Sequence, residues 1–199
     1  MRNIMDVSEL DAIYGPASSG AVTKVVDRLV PLYRDWIAAA RFCVLTTVGP
    51  EGTDGSPRGE DGPVVRIIDD KTLHMPDWRG NNRLDSLRNV VRDGRVSLML
   101  MVPGSETVIR VNGTATLTAD PEVTQSFEQR GRQPKTVIVV TVREAYFQCA
   151  KSIMRAGLWS RDDSAGLPTA GQFLRDRDAA FDAETYDATY PDEARERMW

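Results

Sequence analysis

The sequence predicts a mainly β fold, a small antiparallel barrel with peripheral helices. Three observations predict it. Ile109, Val111, Gly113, Ala115 and Leu117 alternate with Arg110, Asn112, Thr114, Thr116 and Thr118, the two-residue period of a half-buried antiparallel strand. Short apolar runs follow one another along the chain with one substantial helix inserted among them. The strand–helix–strand alternation of a doubly wound parallel sheet is absent.

Taken in order, Ser18 and Ser19 can cap a helix containing Val22, Val25 and Val26. A second helical stretch carries Leu32, Trp36, Ile37 and Ala40, with Pro31 in its first turn, where a missing N–H costs nothing. Phe42–Val48 reads as a buried strand and Pro50–Gly55 as a turn-rich connection. Val64–Ile68 and Thr72–Met75 read as a hairpin about Asp69, Asp70 and Lys71. Pro76 and Gly80 end its second strand. Leu84, Leu87, Val90 and Val91 then recur at helical spacing, with Asn81 or Asn82 as N-cap and Asp85 in the first turn. Val96–Val102 is a strand, and Gly113 marks a bend or bulge in the alternating strand after it. Pro121–Phe127 is a short helix, Thr136–Val142 a strand and Ala150–Ala156 another short helix. From Ala165 the chain is rich in Asp, Arg and Ala, with Phe173, Leu174 and Phe181 as its anchors.

A length of 199 residues suits one domain spanning 1–199, with N-terminal helices over about residues 8–40 and a C-terminal helical tail over about 165–199. A net charge of −4 gives no general drive towards nucleic acid. No apolar run is long enough to span a bilayer, and the N-terminus turns acidic too early for a signal peptide. Cys43 and Cys149 sit among apolar neighbours, so buried thiols in a reducing cytoplasm are expected.

His74 is the single histidine, which excludes multi-histidine metal sites; its mid-strand place between Leu73 and Met75 points to a structural role. No metal site, Rossmann fingerprint or P-loop is present. What remains is anion chemistry. Arg79, Asn81, Asn82 and Arg83 stand at a helix start, where free backbone N–H groups favour a phosphate. Each charge-assisted hydrogen bond there is worth about 1.5–3 kcal/mol. The alternative is a solvated helix face. In Ser56-Pro57-Arg58-Gly59-Glu60-Asp61-Gly62, the glycines and proline rule out a regular central strand. Arg58 therefore lies on a loop or strand end, either reaching a ligand phosphate or pairing weakly with Glu60 or Asp61. Lys151 with Trp159 and Ser160 is a third candidate, in which Trp159 either plugs the core or stacks on a planar ring.

These residues together resemble the pyridoxamine-phosphate oxidase-like flavoproteins, the FMN-binding split-barrel family, and within it a bacterial branch. The resemblance covers most of the chain. It rests on Ser56-Pro57-Arg58-Gly59-Glu60, on Pro76-Asp77-Trp78-Arg79-Gly80-Asn81-Asn82-Arg83, on Asp85-Ser86-Leu87-Arg88-Asn89, on Arg110-Val111-Asn112-Gly113, on the opening helices and on the Lys151 to Trp159 stretch. It implies a homodimer of six-stranded antiparallel split β-barrels with FMN in a groove between subunits. By position, Arg58 and the Asn82-Arg83 pair would hold the FMN phosphate, with Arg79 replacing the basic residue that Asn82 lacks. Pro76 and Asp77 would lie next to the flavin. Ser56, Gly59, Asn81, Lys151 and Trp159 complete the expected cofactor site.

The tail ending Arg195-Glu196-Arg197-Met198-Trp199 has no histidine and departs from the substrate-gripping segment of the true oxidase, so vitamin B6 oxidation is not expected. The resemblance implies an FMN-dependent oxidoreductase moving hydride or electrons between NADH or NADPH and an unidentified small molecule. A non-catalytic flavin sensor or storage protein, or a deazaflavin-dependent reductase, are the alternatives; haem is disfavoured by the lone His74. No residue stands out as a required catalytic acid or base, because the cofactor would carry the chemistry.

Overall fold

The computed structural model describes residues 1–199. Eight helices and seven strands follow one another. Helices α1 (Val7–Tyr14), α2 (Ser19–Thr23) and α3 (Pro31–Ala38) open the chain. Strands β1 (Phe42–Gly49), β2 (Gly52–Gly59), β3 (Arg66–Ile67) and β4 (Thr72–Asp77) come next, then helix α4 (Asp85–Arg92). Strands β5 (Arg95–Met101) and β6 (Val108–Thr118), helix α5 (Pro121–Gln125) and strand β7 (Thr136–Gln148) complete the sheet. Helices α6 (Lys151–Ala156), α7 (Ala170–Arg177) and α8 (Ala183–Arg197) form the tail.

All strand pairs are antiparallel, and the order across the sheet is β2-β1-β5-β6-β7-β4-β3. This is a split β-barrel: the sheet curls on itself without its edges β2 and β3 pairing. The expected six strands are seven, because the two-residue β3 joins β4 through Arg66 opposite His74 and Ile67 opposite Leu73. The hairpin about Asp69–Lys71 is therefore present but short. The Ser56–Gly59 segment is the end of an edge strand, one of the two placements its composition allows. Its proline and glycines fit because β2 is an edge, hydrogen-bonded to β1 alone. The turn before it shrinks accordingly, and Gly52–Gly55 belongs to β2.

The core follows from alternation. Leu45 and Cys43 on β1, Leu98 and Leu100 on β5, Val111 on β6, Ile138, Val140 and Val142 on β7 and Leu73 and Met75 on β4 are all buried, and Ile37 of α3 caps the cluster. Gly113 does mark the bulge. Asn112 faces Glu144 while Gly113 faces Val142, which leaves Arg143 as the extra residue of β7. The backbones approach so closely there that a Cβ on Gly113 would lie 2.0 Å from the Thr141 carbonyl oxygen.

Helix α4 packs on the sheet through a face that is partly polar. Leu87 and Val90 are buried as expected, but so are Ser86 and Asn89, while Leu84 and Val91 are exposed. The reason is hydrogen bonding: Asn89 Nδ2 donates to Thr47 Oγ1 at 3.1 Å, and Ser86 donates to Asp54 of β2. The tail differs too. Phe173 and Leu174 are exposed, and the buried residues are Gly171 of α7 and Ala183 of α8, small enough for the two helices to meet. In α2, Val25 and Val26 lie beyond the last turn, and Val26 instead bridges to Ala145 of β7. Cys43 is buried, but Cys149, just past the end of β7, is exposed.

Gly113→Ala should cost about 1–3 kcal/mol or more, because the neighbour is rigid backbone. Urea denaturation checks this; unchanged stability would mean the bulge does not bring the strands into contact.

Candidate functional site

The edges of the split barrel are joined by side chains. Arg58 stands one residue before the end of β2, opposite Cys43, and Asp77 is the last residue of β4, opposite Thr136. Arg58 Nη1 donates to Asp77 Oδ1, and the two side chains are only 19% and 16% exposed. The alternative of a weak pairing of Arg58 with Glu60 or Asp61 is not what forms; Asp61 meets Arg41 instead. A pair this shielded costs several kcal/mol to break from one side, about 3–5 kcal/mol when fully buried.

Around the pair, donors are left over. Arg58 Nε, Trp78 Nε1 and Thr136 Oγ1 are all buried without a hydrogen-bond partner. Arg58 and Thr136 are the immediate neighbours of Asp77 in space, whereas Trp78, next in sequence, turns to the other face and lines a cavity with Glu60. A buried unsatisfied donor costs about 1–3 kcal/mol. A ligand presenting several acceptors would relieve it, so the donor set fits a phosphate or a heterocycle rich in carbonyl groups.

The next residues form a tight loop. Trp78 is half-buried, whereas Arg79, Asn81, Asn82 and Arg83 are exposed. Asn81 Oδ1 accepts from the Arg83 backbone N–H at 3.1 Å. Asn82 and Leu84 adopt left-handed φ values of 60° and 61°. For leucine this conformation costs roughly 1–2 kcal/mol, and such strain concentrates where a loop is held for a ligand. It also moves the helix start: Leu84, not Asn81 or Asn82, occupies the N-cap, and no side chain caps α4. Arg83 pairs with Asp85 of the first turn, Nη2 to Oδ2 at 2.8 Å. Both are exposed, so the contact is worth about 0–1 kcal/mol and exchanges readily for a stronger anion. Arg79 has no ion pair.

Ser56 and Gly59 flank Arg58 on β2, and Pro76 is buried beside Asp77. Lys151 and Trp159 are elsewhere. Asp77 faces the first residue of β7, whereas α6 begins after the last, so the length of a 13-residue strand, roughly 40 Å if fully extended, separates them. Trp159 is 40% exposed and is not a core plug. Its Nε1 donates to the Ser105 carbonyl at 2.8 Å, and it lines a cavity of about 430 Å³ with Gly104, Ile153 and Met154. Lys151 is exposed on the first turn of α6.

Sequence reasoning missed Glu60, Arg66, Trp78 and Trp199. They group on the outer side of β3 and β4, where Glu60, Arg66 and Trp78 line a cavity of about 420 Å³. Burial pushes the Glu60 carboxyl up to about 7, against the lowering effect of the Trp78 indole N–H. The Trp199 ring meets Trp78 edge-on at 5.7 Å, while Arg132 donates to the Trp199 carbonyl at 2.6 Å. Only the register of β4 against β7 and the return of the tail bring these together, and neither can be read from local pattern. The Cys43 thiol is pushed up to about 12 by burial and is chemically inert. Burial, with the nearby Arg66 charge, holds the half-buried His74 below its ordinary pKa.

The sequence pattern of the family described as pyridoxamine 5'-phosphate oxidase matches residues 29–149, from two residues before α3 to one residue past β7. The chain belongs to this family. No curated protein matches it in sequence. Among solved structures, HupZ of Group A Streptococcus is similar over 60% of this chain and 99% of its own, with 17% identity and a TM-score of 0.50. General stress protein 26 of Bacillus anthracis covers 57% of this chain and 88% of its own at 19% identity, TM-score 0.44. An F420 reductase covers 58% and 94% at 16% identity, TM-score 0.41. The likeness to HupZ is one of fold. Arg58, Asp77 and Arg83 lie inside the family region, and Lys151 and Trp159 lie outside it. Members of this family bind flavins, and no helix of this chain is long and apolar enough to cross a membrane.

Because the folded pKa of Glu60 is raised above its ordinary 4.5, the folded state takes up a proton that the unfolded chain has already lost. That contribution to stability is complete below about pH 4.5 and declines as pH rises through about 7. Glu60→Gln should therefore flatten the fall in Tm between acidic and mildly alkaline pH. An identical fall in both proteins would show that Glu60 is not the group responsible.

Proposed function

We propose that the protein is an FMN-dependent oxidoreductase acting on a small molecule, with the FMN phosphate held by Arg58, Arg79 and Arg83 and the ring lying along Pro76 and Asp77. The observation that carries this reading is the pair of unpartnered buried donors beside the Arg58–Asp77 contact, Arg58 Nε and Thr136 Oγ1. Bound FMN would supply reversible hydride and electron transfer between a donor such as NADH or NADPH and the substrate.

The chain's own residues bind and orient. Asp77 keeps the Arg58 guanidinium extended at the mouth of the barrel, so a phosphate meets a charge already in place and little ordering entropy is lost. Arg83 gives up a weak surface pair with Asp85, and Arg79 is free to close over the anion. The strained Asn82–Leu84 turn turns the loop's polar groups towards solvent, where a ligand can reach them.

Lys151, Trp159 and the exposed Phe147, Met154 and Leu158 are remote from this corner in the same chain. We infer that the protein is a homodimer in which these residues face the cofactor bound by the partner. The exposed apolar side chains around α6 support this, since a cluster of that kind is usually covered.

The test is titration of cofactor-free protein with FMN, alongside mass measurement in solution. Wild type should bind one FMN per chain as a dimer. Arg58→Ala and Arg83→Ala should each weaken binding about tenfold or more, as expected for loss of a charge-assisted hydrogen bond. Dilution to monomer should release the flavin. Unchanged affinity in the double variant would refute the site, and a monomer holding stoichiometric FMN would refute the shared groove.

A further inference from the structure

The cavity on the outer side of β3 and β4 has a chemistry of its own and adjoins the proposed flavin corner only through Pro76. One end is cationic. Arg66 donates Nη1 to Ser126 Oγ at 2.8 Å and Nη2 to the Ser126 carbonyl at 2.9 Å. Ser126 Oγ in turn donates to the Val123 carbonyl at 2.7 Å, so the anchor is itself fixed. The guanidinium carbon sits over the Phe127 ring, 3.8 Å from its centre. It has no carboxylate partner, and three of its five N–H donors make no hydrogen bond within the protein.

The other end is a donor beside an acceptor. The Trp78 indole N–H is buried beside the half-buried Glu60 carboxyl group, without a well-formed hydrogen bond to it. Trp78 is held from behind by Trp199. Between the two ends the lining is apolar: Val65, Ile67, Pro76 and Phe127. On the sheet, Trp78 is four residues along β4 from the partner of Arg66, roughly 13 Å of strand. The cavity volume of about 420 Å³ admits one substituted aromatic ring.

We propose that this cavity binds a small aromatic acid carrying a hydroxyl at the end opposite its carboxylate. The carboxylate takes the free fork of Arg66, whose planar geometry matches it. The ring lies against Ile67 and Phe127. The hydroxyl accepts from the Trp78 N–H and donates to Glu60, which satisfies both groups at once. A dianion such as a phosphate ester fits poorly, because Glu60 and Glu128 line the same space.

The test is calorimetric titration of the full-length protein with 4-hydroxybenzoate. Saturable binding of one molecule per chain is expected. Arg66→Gln should weaken it at least tenfold, and Trp78→Phe at least threefold. Ser126→Ala, which loosens only the seat of Arg66, gives a smaller loss and guards against a misfolded Arg66 variant. 4-Hydroxybenzyl alcohol, with no carboxylate, should bind at least tenfold more weakly than the acid. Absence of saturable binding, equal affinity for the alcohol, or unchanged affinity in Arg66→Gln with a native unfolding temperature would each overturn the assignment.

Discussion

The contact on which the arrangement of the site depends is the ion pair between Arg58 and Asp77. The sheet is a single curled strip whose edge strands do not hydrogen-bond to each other. β2 is tied by backbone to β1 alone, and β4 belongs to the far side of the strip. The pair spans that gap. It is shielded enough for Coulomb attraction to act at an effective dielectric well below that of water. It also decides which way each side chain points, since Arg58 without a counter-charge would turn to solvent.

A second constraint acts on the same corner from below. The long β6–β7 ladder bends at its bulge, where Gly113 lets one backbone close on the other. Helix α4 is then seated on β1 by Asn89 and on β2 by Ser86. Gly49 leaves room for the Asn89 amide, because a Cβ there would lie 2.1 Å from it. The loop from Asp77 to Leu84 is thus fixed at both ends, by β4 and by α4. Its left-handed residues are the chain's solution to a short connection between two fixed points.

Much of this was legible in the sequence. The alternation of 109–118 predicts β6, its inward face and the role of Gly113, because a period of two has one physical cause. The Arg110-Val111-Asn112-Gly113 and Pro76-to-Arg83 motifs point to the family, and the match over 29–149 agrees. The errors have physical reasons. Leu84 looks like a core residue by spacing, but the backbone turns left-handed at that residue and the helix begins after it. Gly52–Gly55 looks like part of a turn-rich connection because edge status, which lets its glycines join β2, is a property of topology, not of composition. Phe173 and Leu174 look like anchors, yet α7 and α8 meet through small residues instead. Long-range partners were out of reach: nothing local links Arg58 to Asp77, Trp78 to Trp199, or Arg66 to Ser126.

The central claim is that this corner of a split barrel holds FMN. The most direct measurement is the visible absorption spectrum of freshly purified protein, with the released chromophore identified by mass. The account predicts a yellow protein whose chromophore is FMN. A colourless protein that also fails to take up added FMN would contradict it.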